Sequence, residues 1–183
     1  MIDIMLDLET MSDTADAAIV AIGACKFDPA TGTIVDTFSS GVDLESAVQG
    51  GGKISAGTVM WWLRRSEAAR AELRSHRRSL TSALLLFTAW LDQDGDRLHR
   101  RIWGNGADFD NVILGSAYER LHLEVPWEYY HNRCYRTARN LLPRVEVPKI
   151  GTAHCAVDDA VNQATYLCAA LQAANLQEPN NAV

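Results

Sequence analysis

Each thing the 183-residue sequence lacks removes a class of protein. It has no apolar run close to the ~18–20 residues needed to cross a bilayer. The longest, Ala83 to Leu91, is interrupted by Thr88, so no membrane span is expected. The N-terminus carries Asp3 and no cationic run, so a secretory leader is not expected either. The four cysteines, Cys25, Cys134, Cys155 and Cys168, form no C-x-x-C pair. That spacing argues against a cysteine zinc site and a disulfide framework, and it fits a reducing cytoplasm. Prolines are few, 48% of residues are hydrophobic and 22% charged, which is the composition of one ordinary globular domain. Positive charge is also short: 17 Lys and Arg against 23 Asp and Glu give a net charge of −6. Taken alone, that balance argues against a nucleic-acid binder.

The cations that remain are unevenly placed. Six arginines fall between Arg64 and Arg78, and others at Arg97, Arg100 and Arg101 and at Arg133, Arg136 and Arg139. Arginine outnumbers lysine fourteen to three, and its planar fork suits bidentate phosphate contacts. Solvated helix faces account for the first stretch at least as well.

The chain is organised around Ile2 to Thr10, I-D-I-M-L-D-L-E-T, a short apolar strand with two acids at its far end. Asp7 and Glu9 are two apart, so an extended backbone points both to one face. Ionised side by side at a buried strand end, they repel and lose hydration, and a divalent cation would offset that cost.

Ile19 to Phe27 reads as a second buried strand, Asp28 to Gly32 as a turn, and Thr33 to Ser40 as the strand that returns. Asp43 to Lys53, with Gly50-Gly51-Gly52, reads as a flexible loop; no G-K-[ST] follows it, so it is not a phosphate loop. Ser55 or Thr58 can cap a helix through Trp61, Trp62 and Leu63, and Ser66 one over Glu67 to Ser75. Helical spacing predicts a core-facing helix over Leu80 to Leu91. Arg100 to Trp103 reads as a strand, followed by helices at Asp108 to Arg120, Tyr135 to Leu142 and Val157 to Asn175. A meander followed by helices and another strand predicts a layered α/β fold with a mixed sheet.

Two further places join acids to element ends: Gly104-Asn105-Gly106-Ala107-Asp108-Phe109-Asp110 and His154-Cys155-Ala156-Val157-Asp158-Asp159. Helix capping explains Asp108 and Asp158 adequately. Asp110 and Asp159, together with a histidine, ask for a common explanation.

D-L-E-T, then N-G-A-D-F-D, then H-C-A-V-D-D resembles the three sequence blocks of the DEDDh 3′–5′ exonucleases. In detail the chain is similar to phage and bacterial proteins related to the nuclease of exonuclease eight, and to the small 3′–5′ exoribonucleases. I-M-L-D-L-E-T-M, A-I-V-A-I-G-A-x-x-F-D-P-x-T-G and W-W-L carry that closer likeness. One departure is Gly104-Asn105 where the family usually has histidine–asparagine, a change that oligoribonuclease-like members share. The resemblance implies an RNase H-like α/β fold, a mixed sheet flanked by helices, in an exonuclease domain over residues 1–176 with a flexible tail at 177–183. It also implies a home in the cytoplasm of a bacterium or a phage-infected cell.

Residue by residue, the resemblance makes Asp7, Glu9, Asp110 and Asp159 metal ligands and His154 the general base. The implied reaction is hydrolysis of single-stranded RNA or DNA from its 3′ end to nucleoside 5′-monophosphates. Four hard oxygen donors suit two Mg²⁺ or Mn²⁺ ions, which at ~3.5–4 Å separation clamp an in-line displacement at phosphorus. An imidazole can take the attacking water's proton near neutral pH. Leu8 and Thr10 are expected beside the terminal nucleotide, with Asn105 and Phe109 from the second block. Trp61 and Trp62 offer either a base-stacking platform or core packing. Arg133, Arg136 and Arg139 share a helical face that suits a phosphate backbone, with Arg136 at its centre, or a homodimer interface. The rival readings are a catalytically silent nucleic-acid-binding module and an endonuclease on the same fold.

Overall fold

A computed structural model describes residues 2–74, 77–95, 97–106 and 108–177. Its frame is a six-stranded mixed sheet in the order β4-β3-β2-β1-β5-β6. β1 (Ile2–Thr10), β2 (Ile19–Phe27) and β3 (Ile34–Val42) form the expected antiparallel meander. β5 (Arg100–Gly104) then adds parallel to β1. β1 therefore lies inside the sheet, with its carboxyl end and that of β5 opening in the same direction.

Alternation along β1 divides two cores. Ile4, Leu6 and Leu8 face one side, where α4 (Leu80–Leu91) and α5 (Asp110–Arg120) bring Leu84, Phe87, Ile113, Ala117 and Tyr118 against them. Met5 faces the other, against Ala160, Ala164 and Leu167 of α7 (Ala156–Gln177) and Tyr135 of α6 (Tyr135–Leu141). Asp7 and Glu9 continue the Met5 row, so the pleat aims both acids under the first turns of α7.

Several boundaries differ from the sequence reading. The stretch expected as a flexible loop, Asp43 to Lys53, contains α1 (Leu44–Gln49). The Asp43 carboxylate caps it by accepting from the Ser46 N–H at 2.9 Å, and Ala47 is buried. Two short strands, β4 (Arg77–Arg78) and β6 (Asn132–Cys134), extend the sheet edges. Ser55 rather than Thr58 precedes α2 (Ala56–Leu63), and α3 spans Glu67–Glu72. The expected tail lies outside the described residues apart from Gln177, which closes α7.

The structure assigns many of the arginines to the fold. Arg101 pairs with Asp3, Arg100 with Asp92, Arg97 with Glu124 and Glu128, and Arg70 and Arg74 with Glu67. All four cysteines are free thiols, and burial pushes the Cys25 thiol up to about 12. Among the described residues no helix is long and apolar enough to cross a membrane.

Candidate active site

A cleft of about 870 Å³ opens at the carboxyl end of β1. Its floor is Asp7, Leu8, Glu9 and Thr10; α7 contributes Asp159, Asn162, Gln163 and Tyr166. The approach of α7 to β1 depends on Gly23, which pairs with Asp7 in the β1–β2 ladder. The backbone of Ala156 and Val157 occupies the space that a Cβ at Gly23 would need. The helix can sit that low only over a glycine.

The segment that delivers His154 is fastened at several points. Ile150 and Asn162 exchange two hydrogen bonds, at 2.9 and 3.0 Å. The Thr152 N–H donates to Asp158 Oδ2 at 2.8 Å, so Asp158 pins this segment and is not a simple cap. Gly151, at φ +69°, lies where a side chain would collide with that carboxylate. His154 itself is in the left-handed region, φ 64°, and its N–H donates to Asp159 Oδ2 at 2.9 Å. That backbone is uncommon for a residue with a Cβ and is held by its surroundings. The imidazole packs edge-on to Trp61, with ring centres 4.9 Å apart, and more distantly to Trp62.

Ligand atoms of Glu9, His154 and Asp159 lie within 4.8 Å of one another. Asp7 lies beside them and accepts from Gln163 Nε2 at 2.7 Å. Asp110 is placed differently. It is fully buried, and its two oxygens accept the Leu8 N–H at 3.0 Å and the Asn105 N–H at 2.7 Å. It thus ties α5 to β1 and to the loop after β5.

Crowding these acids has an electrostatic consequence. Burial, reinforced by Asp159 and Asp110, pushes Glu9 up to about 8. Burial, then Asp110, Glu9 and Asp159, raises Asp7 well above the usual carboxylate range, and the Gln163 hydrogen bond opposes this. Asp110 rises to about 6 through burial, opposed by its backbone donors and by Arg136. Side chains so arranged favour a cation among them. The donor set, carboxylate oxygens with one imidazole nitrogen nearby, fits a hard divalent ion.

Residues 2–171 match the family described as the Rv2179c-like 3′–5′ exoribonuclease domain. The chain belongs to that family. It is a hydrolytic 3′–5′ exonuclease. The fold is RNase H-like, and solved structures of DEDDh enzymes share it. The nuclease domain of 3′hExo, a DEDDh family member bound to rAMP, aligns with a TM-score of 0.63 at 14% identity, over 94% of this chain and 92% of that one. The E. coli ExoI–ssDNA complex in its zinc-bound form gives 0.64 at 13% identity, over 96% and 41%. A 3′-exonuclease solved with 3′-end-specific recognition of the histone mRNA stem-loop gives 0.62 at 12%, over 94% and 82%. At these identities the fold is what is shared. No curated protein matches the chain.

Of the site residues expected for this family, Asp7, Glu9, His154 and Asp159 line the cleft, and Asp110 lies buried and hydrogen-bonded to its floor. Leu8, Thr10, Asn105 and Phe109 line it too. Both tryptophans do, but unequally: Trp62 is buried, its Nε1 donating to the Thr10 carbonyl at 2.9 Å, while Trp61 is exposed. Arg136 does not line the cleft; its Nη2 donates to the Asn105 carbonyl at 2.6 Å. Arg139, one turn on, does line it, lying over the Tyr166 ring. Gln163, Tyr166 and Tyr135 also line the cleft, outside the three sequence blocks. Helical spacing from Asp159 could have found Gln163, since a residue four positions on shares its face.

Proposed function

We propose that the enzyme removes nucleoside 5′-monophosphates from the 3′ end of single-stranded nucleic acid, with RNA as the preferred substrate. Asp7, Glu9, Asp110 and Asp159 would hold two divalent cations, Mg²⁺ or Mn²⁺. One observation carries this reading: Asp7, Glu9, Asp159 and His154, from two distant parts of the chain, converge on one cleft floor. Ions held by these carboxylates would supply Lewis-acid stabilisation of the charge that develops on oxygen during the reaction.

The chain's own groups do the rest. His154 stands at the edge of the carboxylates and takes the proton of the attacking water as general base. Its fixed backbone and the packing against Trp61 hold the imidazole beside the Glu9 and Asp159 carboxylates. Leu8 and Thr10 form the surface under the terminal nucleotide, and the partly exposed Trp61 ring, with the Arg65 guanidinium over one face, offers a base-stacking platform on the other. Phe109 and Asn105 also line the cleft. Arg139 and Lys149 supply cationic charge that the net-negative molecule otherwise withholds from the cleft. The family description supports RNA, and a nucleotide and nucleic acids bound to structures of the same fold support the substrate class. A homodimer extends the reading, and sedimentation tests it.

The test uses 5′-labelled single-stranded RNA and DNA of matched sequence, with wild type and Asp7→Ala, in Mg²⁺ and Mn²⁺. A ladder shortening from the 3′ end, faster on RNA and absent in the variant, is expected. Internal cuts would make it an endonuclease, and binding without cleavage a silent module.

A further inference from the structure

Gln163 joins two parts of the site without belonging to the acid set. It follows Asp159 by four residues on α7, so both side chains leave the helix on one face, toward β1. Its Nε2 donates to Asp7 Oδ1 at 2.7 Å. Its Oε1 is sealed from solvent and accepts no hydrogen bond among the described residues. An orphaned buried acceptor costs about 1–3 kcal/mol. The core of α7 does not call for it: Ala160, Ala164, Leu167 and Cys168 already pack that helix onto the sheet.

The identity of the group is informative. Asp7 is surrounded by Glu9, Asp110 and Asp159, so a further acid would add repulsion. A lysine or arginine would pair with Asp7 and occupy the place of a cation. A neutral amide does neither, and it fixes one oxygen while leaving the other.

We infer that Gln163 is a positioning residue that holds Asp7 by its Oδ1, so that Oδ2 is presented to a divalent cation. This rests on reading the carboxylate cluster as a cation site. Partners that orient a ligand in this way are worth about 10–100-fold in metal affinity.

The experiment is a Mn²⁺ titration of the full chain by calorimetry, for wild type and Gln163→Leu, with thermal melts of both in EDTA. Gln163→Leu keeps the bulk and removes both polar atoms. The expected result is Mn²⁺ affinity lower by about 10–100-fold. The metal-free melting temperature is expected to change little, because removing the orphaned Oε1 offsets the loss of the hydrogen bond to Asp7. Exonuclease activity of the variant should recover toward wild type as Mn²⁺ is raised. Equal Mn²⁺ affinity in the two proteins overturns the inference, and a lower melting temperature with it would assign Gln163 to folding alone. If Gln163→Leu does not fold, Gln163→Ala is titrated against the same criteria. A wild type that binds no Mn²⁺ overturns both this inference and the cation reading beneath it; wild-type binding with no effect of substitution overturns this inference alone.

Discussion

Gly23 of β2 and Ala156 of α7 share a space that admits no side chain: the Ala156 carbonyl group lies where a Cβ on Gly23 would be. Because Gly23 also pairs with Asp7, this one approach sets how closely Asp159 and His154 come to the β1 acids. Gly23→Ala must push the start of α7 off the sheet. The expected loss is about 1–3 kcal/mol of stability, the usual range for overpacking. Urea unfolding reads the stability. Activity should fall further than stability alone explains, since the site loosens by tenths of an ångström. Activity and stability both unchanged would mean that the helix absorbs the methyl without moving.

Much of this was legible in the sequence, for physical reasons. The β1 pattern places Asp7 and Glu9 on one face because strand periodicity is strict, and the structure keeps that alternation. Block order brought Asp110, His154 and Asp159 to the same end of the sheet. What stayed hidden depended on partners distant in sequence. Which tryptophan is buried follows from the Thr10 carbonyl, and the place of Arg136 from the Asn105 carbonyl, neither of which has a local signature. The α1 helix was obscured by the following glycines, although Asp43 three residues before Ser46 is a recognisable cap. β4 and β6 are two and three residues long, too short for any periodicity to show.

The acid cluster should make the metal-free protein sensitive to pH in an unusual direction. Glu9 goes from an ordinary 4.5 to about 8 on folding. Between those values the folded protein keeps a proton that the unfolded chain has released, so stability is lost as pH rises through that window. Asp110, raised to about 6, acts in its lower part, and Asp7 shifts the same way. In EDTA the melting temperature should fall between pH 5 and pH 8, and Mn²⁺ added at pH 8 should restore it. A metal-free melting temperature that climbs over that range would contradict the burial of ionisable acids described here.

Two amide substitutions should separate acids that share a site. Glu9→Gln removes a crowded charge, so metal-free stability at pH 8 should rise while exonuclease activity is lost. Asp110→Asn should lose activity and stability together. Both oxygens of Asp110 accept backbone N–H groups, from Leu8 and Asn105, and an amide must turn its NH₂ toward one of those donors. An unsatisfied buried donor costs about 1–3 kcal/mol. Denaturant unfolding in EDTA reads both variants, and a loss of stability in Glu9→Gln would show that its charge supports the fold.

The two arginines of α6 should fail in different ways. Arg139 lines the cleft over Tyr166, with no ion-pair partner among the described residues, so its charge is available to a phosphate. Arg139→Ala should raise KM for a single-stranded oligonucleotide while leaving kcat nearly unchanged. Losing one phosphate contact should also reduce the salt dependence of binding, by a slope of about 0.7 for a single strand. Arg136 instead holds the Asn105 carbonyl and opposes the rise of Asp110, so it acts on the site's geometry and charge. Arg136→Ala should lower kcat with little change in the salt slope. Steady-state kinetics at several salt concentrations distinguishes the two. If Arg136→Ala flattened the salt dependence and Arg139→Ala did not, the phosphate path would run over Arg136, along the outer face of α6.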